Sequence, residues 1–466
     1  MKTILFFDDF ALARRDHLRN VICHPQFAGL YRDPYACVHG MGCASAVYHE
    51  ERGSVLLYYG SYLKGATMQD RSVTVVAESQ DGIHFTPLNT EKEVALPERA
   101  CLHQILDKNL VSEPLLFFED AHDPDPNRRY KALTVRFCPD GYGIDDIWYS
   151  PDGIRFVHDE DISWHPVGSE GIMGHFYNER LGCHTILTRA EVGERQVYRV
   201  ETRDWKNFST PEFVMGADLE DPPLSELYGM PSFTYEDYVI GFPWIFHVNQ
   251  SEEKGTQKFW KGKMTTHLSY SRDGRTFQRV THAPFFENGA PGSPGYGMTG
   301  LQTMLQRPDG SLCFYCYVRE VEHGTTRQEN ISGISVSVLR RDGFVCLESC
   351  GGPATLRTRL LRLGDSAPLE INLQCTESAT CALLDADAQP IAGFSHEECD
   401  PFSGDSVAWQ PAWQGRSSAG IDTAAIEIRI LSGRIYAIRG DFEIFYTNAQ
   451  YRRYLQDGNL PRERGF

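Results

Sequence analysis

Hydrophobic and polar residues alternate along this chain in short stretches that are typical of β-strands. Runs such as Ser54–Ser61, Ser72–Glu78 and Tyr130–Arg136 are rich in valine, leucine and tyrosine, which favour the half-buried surface of a pleated sheet. The 3.6-residue period of an amphipathic helix is absent from almost the whole sequence. The pattern therefore predicts an all-β protein.

A turn motif follows several of these runs and combines a small polar residue, Asp-Gly and a phenylalanine at a fixed offset. Clear copies are Ser79–Phe85, Ser150–Phe156 and Ser271–Phe277, and in Thr202–Phe208 a tryptophan replaces the glycine. Arg340–Val345 is a weaker fifth copy. Asp-Gly between apolar runs indicates a β-hairpin, because glycine accepts the positive φ of the turn. The copies predict five repeated units.

Each interval between copies has room for about four strands, which predicts a five-bladed β-propeller over residues 1–350 with a lead-in at residues 1–30. A tandem of β-sandwiches with a common hairpin is the alternative. After Gly351–Pro353 the turn motif disappears and the apolar residues alternate regularly. We therefore expect an antiparallel β-sandwich over residues 355–448 and a charged C-terminal tail over residues 449–466.

The charge of the chain narrows the range of partners. The sequence has 63 acidic residues against 45 lysines and arginines, a formal net charge of −18. Such a charge repels polyanions and argues against binding of nucleic acid or an anionic membrane. No apolar run approaches the ~20 residues that cross a bilayer, and Asp8 and Asp9 close the short apolar start, unlike a signal peptide. We expect a cytoplasmic protein.

The cysteines do not predict a disulfide framework or a metal site. There are 13 of them, an odd number, and most are isolated, which is typical of reduced, buried thiols. Cys313 and Cys316, the closest pair with metal-knuckle spacing, fall on a predicted strand, where residues three apart face opposite sides. We therefore expect neither a metal nor a cofactor.

The innermost strands of a propeller line an axial funnel, so polar residues at the start of each unit converge on one pocket. Each of these segments offers a carboxylate, a histidine or a tyrosine. The candidates are Asp33, Glu113, His175, Glu226, Tyr228, Trp244, Glu287, Tyr296 and Arg319.

Residues 20–350, with Arg32-Asp33-Pro34 in the first unit and the Asp-Gly-aromatic hairpins, resemble the superfamily of five-bladed glycoside hydrolases that contains β-fructosidases, levansucrases, arabinanases and xylosidases. The C-terminal segment is also similar to members of that group. The Trp-Met-Asn-Asp-Pro-Asn-Gly and Glu-Cys elements of fructosidases are missing, so the resemblance is at the superfamily level.

The resemblance implies that Asp33 is the base or nucleophile and Glu226 the general acid, with Glu113 adjusting the acid or binding a hydroxyl. Glycosidic cleavage needs one protonated and one ionised carboxyl group, and like charges in one funnel separate their pKa values. Other readings remain open. Asp33 before proline is also typical of a turn cap, Glu226 of a solvated loop, and Glu113 of an ordinary strand edge.

The remaining candidates have expected roles in substrate binding. His175 is a candidate ligand or proton carrier, as is His184, although a histidine in a strand is more often structural. Aromatic rings at Tyr228, Trp244 and Tyr296 could stack on a sugar, and Glu287 is a spare acid. Arg319 could bind an anionic group.

A final acidic segment, Glu119–Asn127, superficially suggests calcium through Asp120, Asp123 and Asp125, but its two prolines predict a polar hairpin.

Three functions fit these features. The first is hydrolysis of a small furanoside or oligosaccharide. The second is a glycoside phosphorylase on the same fold, for which Arg319, His323 and Arg327 could hold phosphate. The third is a non-catalytic carbohydrate-binding propeller. All three imply a small carbohydrate as the partner.

Overall fold

The computed structural model describes residues 1–34, 41–62, 72–90, 94–96, 99–101, 106, 112–137, 143–164, 173–189, 195–254, 257–325 and 332–458. The chain divides into two compact units, of which unit 1 contains Met1–His24 and Leu339–Phe466 and unit 2 contains Pro25–Val338. Unit 1 is therefore built from both ends of the chain, whereas the sequence pattern predicted one domain over residues 1–350.

The described elements are nearly all strands, and the first ones belong to both units. They are β1 (Lys2–Leu5), β2 (Leu12–Asp16), β3 (Leu18–Ile22), β4 (Gln26–Tyr31), β5 (Met41–His49), β6 (Ser54–Tyr62), β7 (Ser72–Ser79), β8 (Thr86–Pro87), β9 (Val94–Leu96) and β10 (Arg99–Cys101).

The middle of the chain supplies most of unit 2. Its strands are β11 (Ser112–Glu119), β12 (Tyr130–Phe137), β13 (Gly143–Ser150), β14 (Val157–Trp164), β15 (Gly174–Asn178), β16 (Cys183–Arg189), β17 (Val197–Thr202), β18 (Glu212–Met215), β19 (Ser225–Gly229), β20 (Ser232–Tyr235), β21 (Tyr238–Gly241), β22 (Trp244–Lys254), β23 (Gln257–Thr266), β24 (Ser269–Ser271) and β25 (Gln278–Arg279).

The last strands complete unit 2 and then return to unit 1, which ends with a helix. They are β26 (Met298–Gln306), β27 (Leu312–Arg319), β28 (Ser332–Leu339), β29 (Val345–Ser349), β30 (Ala354–Thr358), β31 (Leu361–Leu363), β32 (Glu370–Leu384), β33 (Phe402–Trp409), β34 (Thr423–Gly440), β35 (Phe442–Ile444) and the helix α1 (Asn448–Asp457). Within the described ranges, no helix is long and apolar enough to cross a membrane.

Unit 2 has a propeller-like arrangement with four separate four-stranded antiparallel sheets. Their strand orders are β5-β6-β7-β8, β11-β12-β13-β14, β15-β16-β17-β18 and β20-β21-β24-β25. A seven-stranded sheet runs β19-β22-β23-β26-β27-β28-β4, and β9 pairs with β10. Apolar clusters pack between successive sheets; one contains Tyr58 of β6, Phe117 of β11 and Trp148 of β13.

The predicted Asp-Gly hairpin joins the third and fourth strands of each four-stranded sheet. Asp81 accepts the backbone N–H groups of Ile83 and His84 at 2.8 Å each, and Asp152, Asp204 and Asp273 repeat the pattern. This confirms four copies of the motif as hairpin turns that recur at one position in the sheets.

The turns also contact the neighbouring sheet. The Tyr58 hydroxyl donates to the Gly153 carbonyl at 2.9 Å, and the Tyr315 hydroxyl donates to the Gly82 carbonyl at 2.9 Å. The Asp152 turn is thereby held by β6 and the Asp81 turn by β27, so each of these turns contributes to both local and long-range structure.

The fifth copy is different, and its prediction as a blade hairpin was wrong. Asp342 lies between β28 and β29, and β29 pairs with β3 and β34 of unit 1. Asp342 is fully buried and accepts a hydrogen bond from Arg439 Nε at 2.8 Å. This aspartate therefore forms a buried ion pair in unit 1 rather than an exposed hairpin turn.

In unit 1, most strands join a ten-stranded sheet through the long strand β34. β34 pairs with β1 because the N-terminal apolar residues, such as Ile4, face the same core as Ile438. The predicted tail from residue 449 falls partly on α1. Thr447 caps this helix, since its side chain accepts from the Gln450 N–H while the Gln450 side chain accepts from the Thr447 N–H.

Candidate functional site

The first candidate region surrounds Tyr228 in unit 2 and is called the Tyr228 cluster. It comprises Arg189, Arg195, Glu226, Tyr228, Phe246 and His323. Glu226 and Tyr228 belong to β19, which directly precedes β20, the first strand of its four-stranded sheet. The cluster therefore lies near the N-terminal end of a first strand, where the sequence predicted the funnel residues.

Glu226 is largely buried and forms an ion pair with Arg195. The Arg195 guanidinium lies 5.5 Å from the ring centres of both Tyr228 and Phe246. Its Nε is buried and has no hydrogen-bond partner among the described residues. One carboxylate and an arginine with a spare donor therefore stand beside two aromatic rings, an arrangement that can bind hydroxyl or anionic groups.

Tyr228 brings further basic groups into this cluster. The Arg189 guanidinium lies 4.9 Å from its ring centre, and its hydroxyl lies 3.4 Å from His323 Nε2. Trp244 stacks on Tyr228 with centroids 6.2 Å apart, but it is only 2% exposed and donates its indole N–H to the Leu301 carbonyl at 2.7 Å. Tyr228 thus contacts basic side chains that could bind a ligand, whereas Trp244 is buried in the core.

Asp33 lies between β4 and β5 and is 2% exposed. Its backbone N–H approaches Met41 Sδ at 3.4 Å. The Tyr59 hydroxyl lies 2.8 Å from that of Tyr31, and burial, followed by the charge of Tyr31 and that of Asp33, raises the pKa of Tyr59 well above its usual range. Asp33 is therefore a buried carboxylate beside a protonated phenol.

The other predicted residues make different contacts or have side chains outside the described residues. Glu113 pairs with Val135 in the β11–β12 ladder, and its side chain lies outside the described residues, as does Arg327. Glu287 is exposed, and the Lys263 ammonium sits 3.8 Å above the Tyr296 ring centre. Arg319, which was predicted to bind substrate, donates through Nη2 to the Thr325 carbonyl at 2.7 Å.

A second candidate region is a cavity of about 370 Å³ at the opposite, C-terminal ends of the first strands. We call it the histidine cavity, and its polar wall consists of Asp120, His122, His175, Tyr177 and His184. Residues from β11, β15, β20 and β26 line it, so it lies where these strands converge.

Two of the cavity histidines form a chain with a buried carboxylate. His175 Nε2 lies 3.1 Å from His184 Nδ1, and His184 Nε2 lies 3.4 Å from an Asp120 oxygen. Asp120 also accepts from Lys131 Nζ at 2.7 Å and from Trp205 Nε1 at 3.1 Å. The sequence suggested His175 and His184 separately, but nothing in it joined them to Asp120.

Protonation in this chain follows from burial. Burial raises the pKa of Asp120, but the hydrogen bond and charge of Lys131 outweigh it and hold that pKa below its ordinary value. Burial lowers the pKa of His184 to about 4 and, together with the charge of His184, holds the pKa of His175 well below its usual range. Near neutral pH the chain is therefore one carboxylate and two neutral imidazoles.

Trp205 and Lys131 are the residues of this region that sequence reasoning missed. Trp205 occupies the glycine position of the degenerate hairpin with a φ of 59°, a left-handed conformation that is strained for a bulky residue. Its indole is held by Asp120 and lies 4.6 Å, centre to centre, from His184. The tryptophan in place of glycine was the available signal.

The acidic segment after β11 is a polar hairpin, as predicted. Asp123 and Asp120 both accept from Lys131, at 2.8 and 2.7 Å, so a lysine ammonium occupies the position in which calcium was considered. Among the described residues, ten cysteines are free thiols, and they include Cys313 and Cys316, both buried in β27.

One group in the described part of the chain has the spacing of metal ligands. The ligand atoms of Asp218, Asp221 and His282 lie within 4.8 Å of one another. Arg279 already donates to Asp221 at 2.6 Å, and His282 Nε2 lies 2.9 Å from both oxygens of Asp218. These partners satisfy the group as an ion-pair network.

No known family model matches the sequence, and no curated protein matches it. Solved structures similar to the chain include an N-acetylgalactosamine deacetylase from F. plautii in complex with blood group B trisaccharide. This structure has 12% identity and a TM-score of 0.45 and covers 70% of this chain and 96% of that chain.

Two further structures have similar scores. A fructofuranosidase from Schwanniomyces occidentalis has 9% identity and a TM-score of 0.40 and covers 89% of this chain and 96% of that chain. A thermostable family-43 glycoside hydrolase has 11% identity and a TM-score of 0.40, with 68% and 95% coverage. At these scores the likenesses assign neither a reaction nor a site to this chain.

Proposed function

We propose that the protein is a glycoside hydrolase that cleaves a small furanoside or oligosaccharide with the carboxyl groups of Asp33 and Glu226. The observation that carries the proposal is the burial of both carboxyl groups, at 2% and 8% residue exposure, beside aromatic side chains. In the sequence, Asp33 comes before β5 and Glu226 lies in β19 before β20, and β5 and β20 are each the first strand of a four-stranded sheet. Buried carboxylates near rings suit a sugar, whose faces stack on aromatics while its hydroxyls bond to acids.

The two acids would divide the chemistry. One carboxyl group protonates the leaving oxygen, and the other attacks the sugar carbon or activates water. We assign the base or nucleophile to Asp33 and the proton donor to Glu226. Because Arg195 forms an ion pair with Glu226, substrate binding would have to draw Arg195 away, for example onto a sugar hydroxyl, before the Glu226 carboxyl group can face the leaving oxygen.

We also propose that unit 2 has five blades. Within the seven-stranded sheet, β26, β27, β28 and β4 are successive neighbours, and β4 pairs antiparallel to β28 from the N-terminal side of the chain. Four strands closed in this way would make a fifth blade that ties the two ends of unit 2 together. In unit 1, a β-sandwich remains our proposal, because the long strands β32 and β34 share one apolar core.

The test is turnover of a panel of aryl furanosides and pyranosides by purified protein. Asp33→Asn and Glu226→Gln are each expected to lower kcat by about 10²–10⁴-fold, the usual contribution of an acid or base catalyst. Glu51→Gln, which changes an acid whose side chain is 75% exposed, is the matched control and should keep full activity. Wild-type turnover that survives Asp33→Asn unchanged would remove Asp33 from the mechanism.

A glycoside phosphorylase is the second candidate, favoured by the basic groups around Tyr228. Arg189, Arg195 and His323 all contact this ring or its hydroxyl, and arginine pairs are well suited to phosphate oxygens. The same panel assayed with and without inorganic phosphate separates the two reactions. Turnover that requires phosphate and yields a sugar phosphate favours the phosphorylase. Binding without turnover under both conditions favours a carbohydrate-binding protein.

A further inference from the structure

The histidine cavity is distinct from the residues proposed above for catalysis. It lies toward the C-terminal ends of the first strands, where Tyr177 is the next-to-last residue of β15 and Tyr235 is the last residue of β20. The Tyr228 cluster and Asp33 lie near the N-terminal ends of such strands. The cavity can therefore be tested separately from the proposed reaction.

The hydrogen bonds of the chain fix which ring nitrogen is free. The ionised Asp120 beside His184 Nε2 favours the proton on that nitrogen, so His184 Nδ1 must accept. Its partner at 3.1 Å, His175 Nε2, must then donate. A neutral imidazole has one proton, which leaves His175 Nδ1 as an acceptor, and this atom makes no hydrogen bond to any described residue.

Two acids of the cavity lining, Asp120 and Glu119, are already paired. Lys131 neutralises Asp120, and Arg129 Nε donates to Glu119 at 2.7 Å. The described lining contains no lysine or arginine, which disfavours an anionic ligand. Because these two acids already have cationic partners, they would contribute little to the binding of a cation.

The remaining walls of the cavity are aromatic. Phe118, Tyr177, Phe233 and Tyr235 line it together with Gln306. Phe118 stacks on the His175 ring at 3.8 Å between centres, and His122 stacks on Tyr177 at 3.5 Å. Ring faces with a few polar groups are typical of sites for neutral sugars, and about 370 Å³ is room for one sugar ring.

We propose that the histidine cavity is a second binding site for a neutral polyhydroxylated ligand of monosaccharide size, with one ligand hydroxyl donating to His175 Nδ1. Binding at this site does not depend on Asp33 or Glu226. Its Asp120–His184–His175 chain is a positioning device, because it fixes the tautomer that presents the acceptor.

The experiment is ligand-observed NMR and calorimetric titration of the full chain with D-xylose, L-arabinose and D-fructose. We expect at least one of them to bind to wild type and to Asp33→Asn with the same affinity. His175→Phe keeps a ring against Phe118 but removes the acceptor, and it should weaken binding about tenfold, the equivalent of one net hydrogen bond. His84→Phe, the same change at an exposed histidine outside the cavity lining, is the matched control.

Tyr235→Ala is a second variant outside the hydrogen-bonded chain and should also weaken binding, so the proposal stays testable if His175→Phe does not fold. Binding of none of the three sugars overturns the proposal. Equal binding by His175→Phe and wild type, or loss of binding in Asp33→Asn alone, also overturns it. Methylammonium binding in the cavity without sugar binding would identify a cation site instead.

Discussion

Two buried carboxylates of unit 2, Asp120 and Glu226, have opposite surroundings. Asp120 has a fully buried side chain and accepts from Lys131, Trp205 and the His122 N–H. Glu226, with its side chain 10% exposed, has one ion-pair partner, Arg195, whose side chain is 21% exposed. Both look similar by burial alone, but one has several fixed donors and the other has a single long side chain.

The number of fixed donors separates a carboxylate that holds structure from one that is available for chemistry. Several rigid donors lock Asp120 in its ionised state and make its loss expensive. A single arginine can swing away and be replaced by a substrate. The comparison predicts large stability effects around Asp120 and small ones around Glu226.

Lys131→Met should give the largest effect. It leaves Asp120 as a buried charge without its cation, which typically costs about 3–5 kcal/mol. Urea unfolding followed by fluorescence measures the loss. Arg129→Met, which removes a partly exposed partner of Glu119, should cost less than about 1 kcal/mol. Equal losses in the two variants would contradict the distinction.

Acidification should weaken the protein because His184 resists protonation in the folded state. With its pKa lowered to about 4, the unfolded chain takes up the proton first as pH falls from about 6.5 to 4. The contribution of His184 to the free energy of unfolding is therefore fully present above pH 6.5 and declines by about 3 kcal/mol toward pH 4. Urea unfolding at pH 7, 6, 5 and 4 measures the slope.

His184→Gln is the control for this pH effect, since glutamine can hydrogen-bond without titrating. The variant should show a shallower slope over the same range. His267, whose pKa burial also lowers to about 4, keeps part of the slope in both proteins. A variant slope identical to that of wild type would assign the effect to groups other than His184.

Trp205→Phe should have an intermediate effect. It keeps an aromatic ring beside His184 and removes the indole N–H that donates to Asp120 at 3.1 Å. The loss of one hydrogen bond to a charged group costs about 1.5–3 kcal/mol. Thermal and urea unfolding measure this loss. A free energy of unfolding within about 0.5 kcal/mol of wild type would mean that Asp120 does not need the Trp205 hydrogen bond.

Arg195→Met should have the smallest effect on stability, below about 1 kcal/mol, because the Arg195 side chain is 21% exposed and water can replace this single partner of Glu226. The same variant should change kcat/KM on any substrate that wild type turns over, since Glu226 loses its partner. A loss as large as that of Lys131→Met would place Glu226 among the structural carboxylates and weaken its proposed role.

Much of the fold could be predicted from local sequence signals. The alternation of apolar residues and the Asp-Gly hairpins predicted the four-stranded sheets, because each hairpin is stabilised by contacts within a few residues. The prediction for Asp342 was wrong because its local sequence matches the hairpin motif, while its ion-pair partner, Arg439, lies far along the chain. The assignment of residues 1–24 to unit 1 also depends on distant pairing, between β1 and β34.

The candidate sites were less predictable for the same reason. Asp33 and Glu226 were predicted by position in the repeat, and both are buried near the starts of first strands. The Asp120–His184–His175 chain joins three segments of two sheets through side-chain contacts, and sequence spacing contains no trace of it. Trp205 could have been recognised, because a tryptophan rarely occupies a left-handed glycine position without a tertiary partner.

The division of the chain has a consequence for the order of synthesis. Met1–His24 are synthesised before their partners in unit 1, which begin only at Leu339. On the ribosome, the strands β1–β3 must therefore wait, exposed, until all of Pro25–Val338 has been made. Unit 2, Pro25–Val338, is continuous in sequence and can fold during this interval, so β1–β3 pair with their unit 1 partners only after unit 2 has been synthesised.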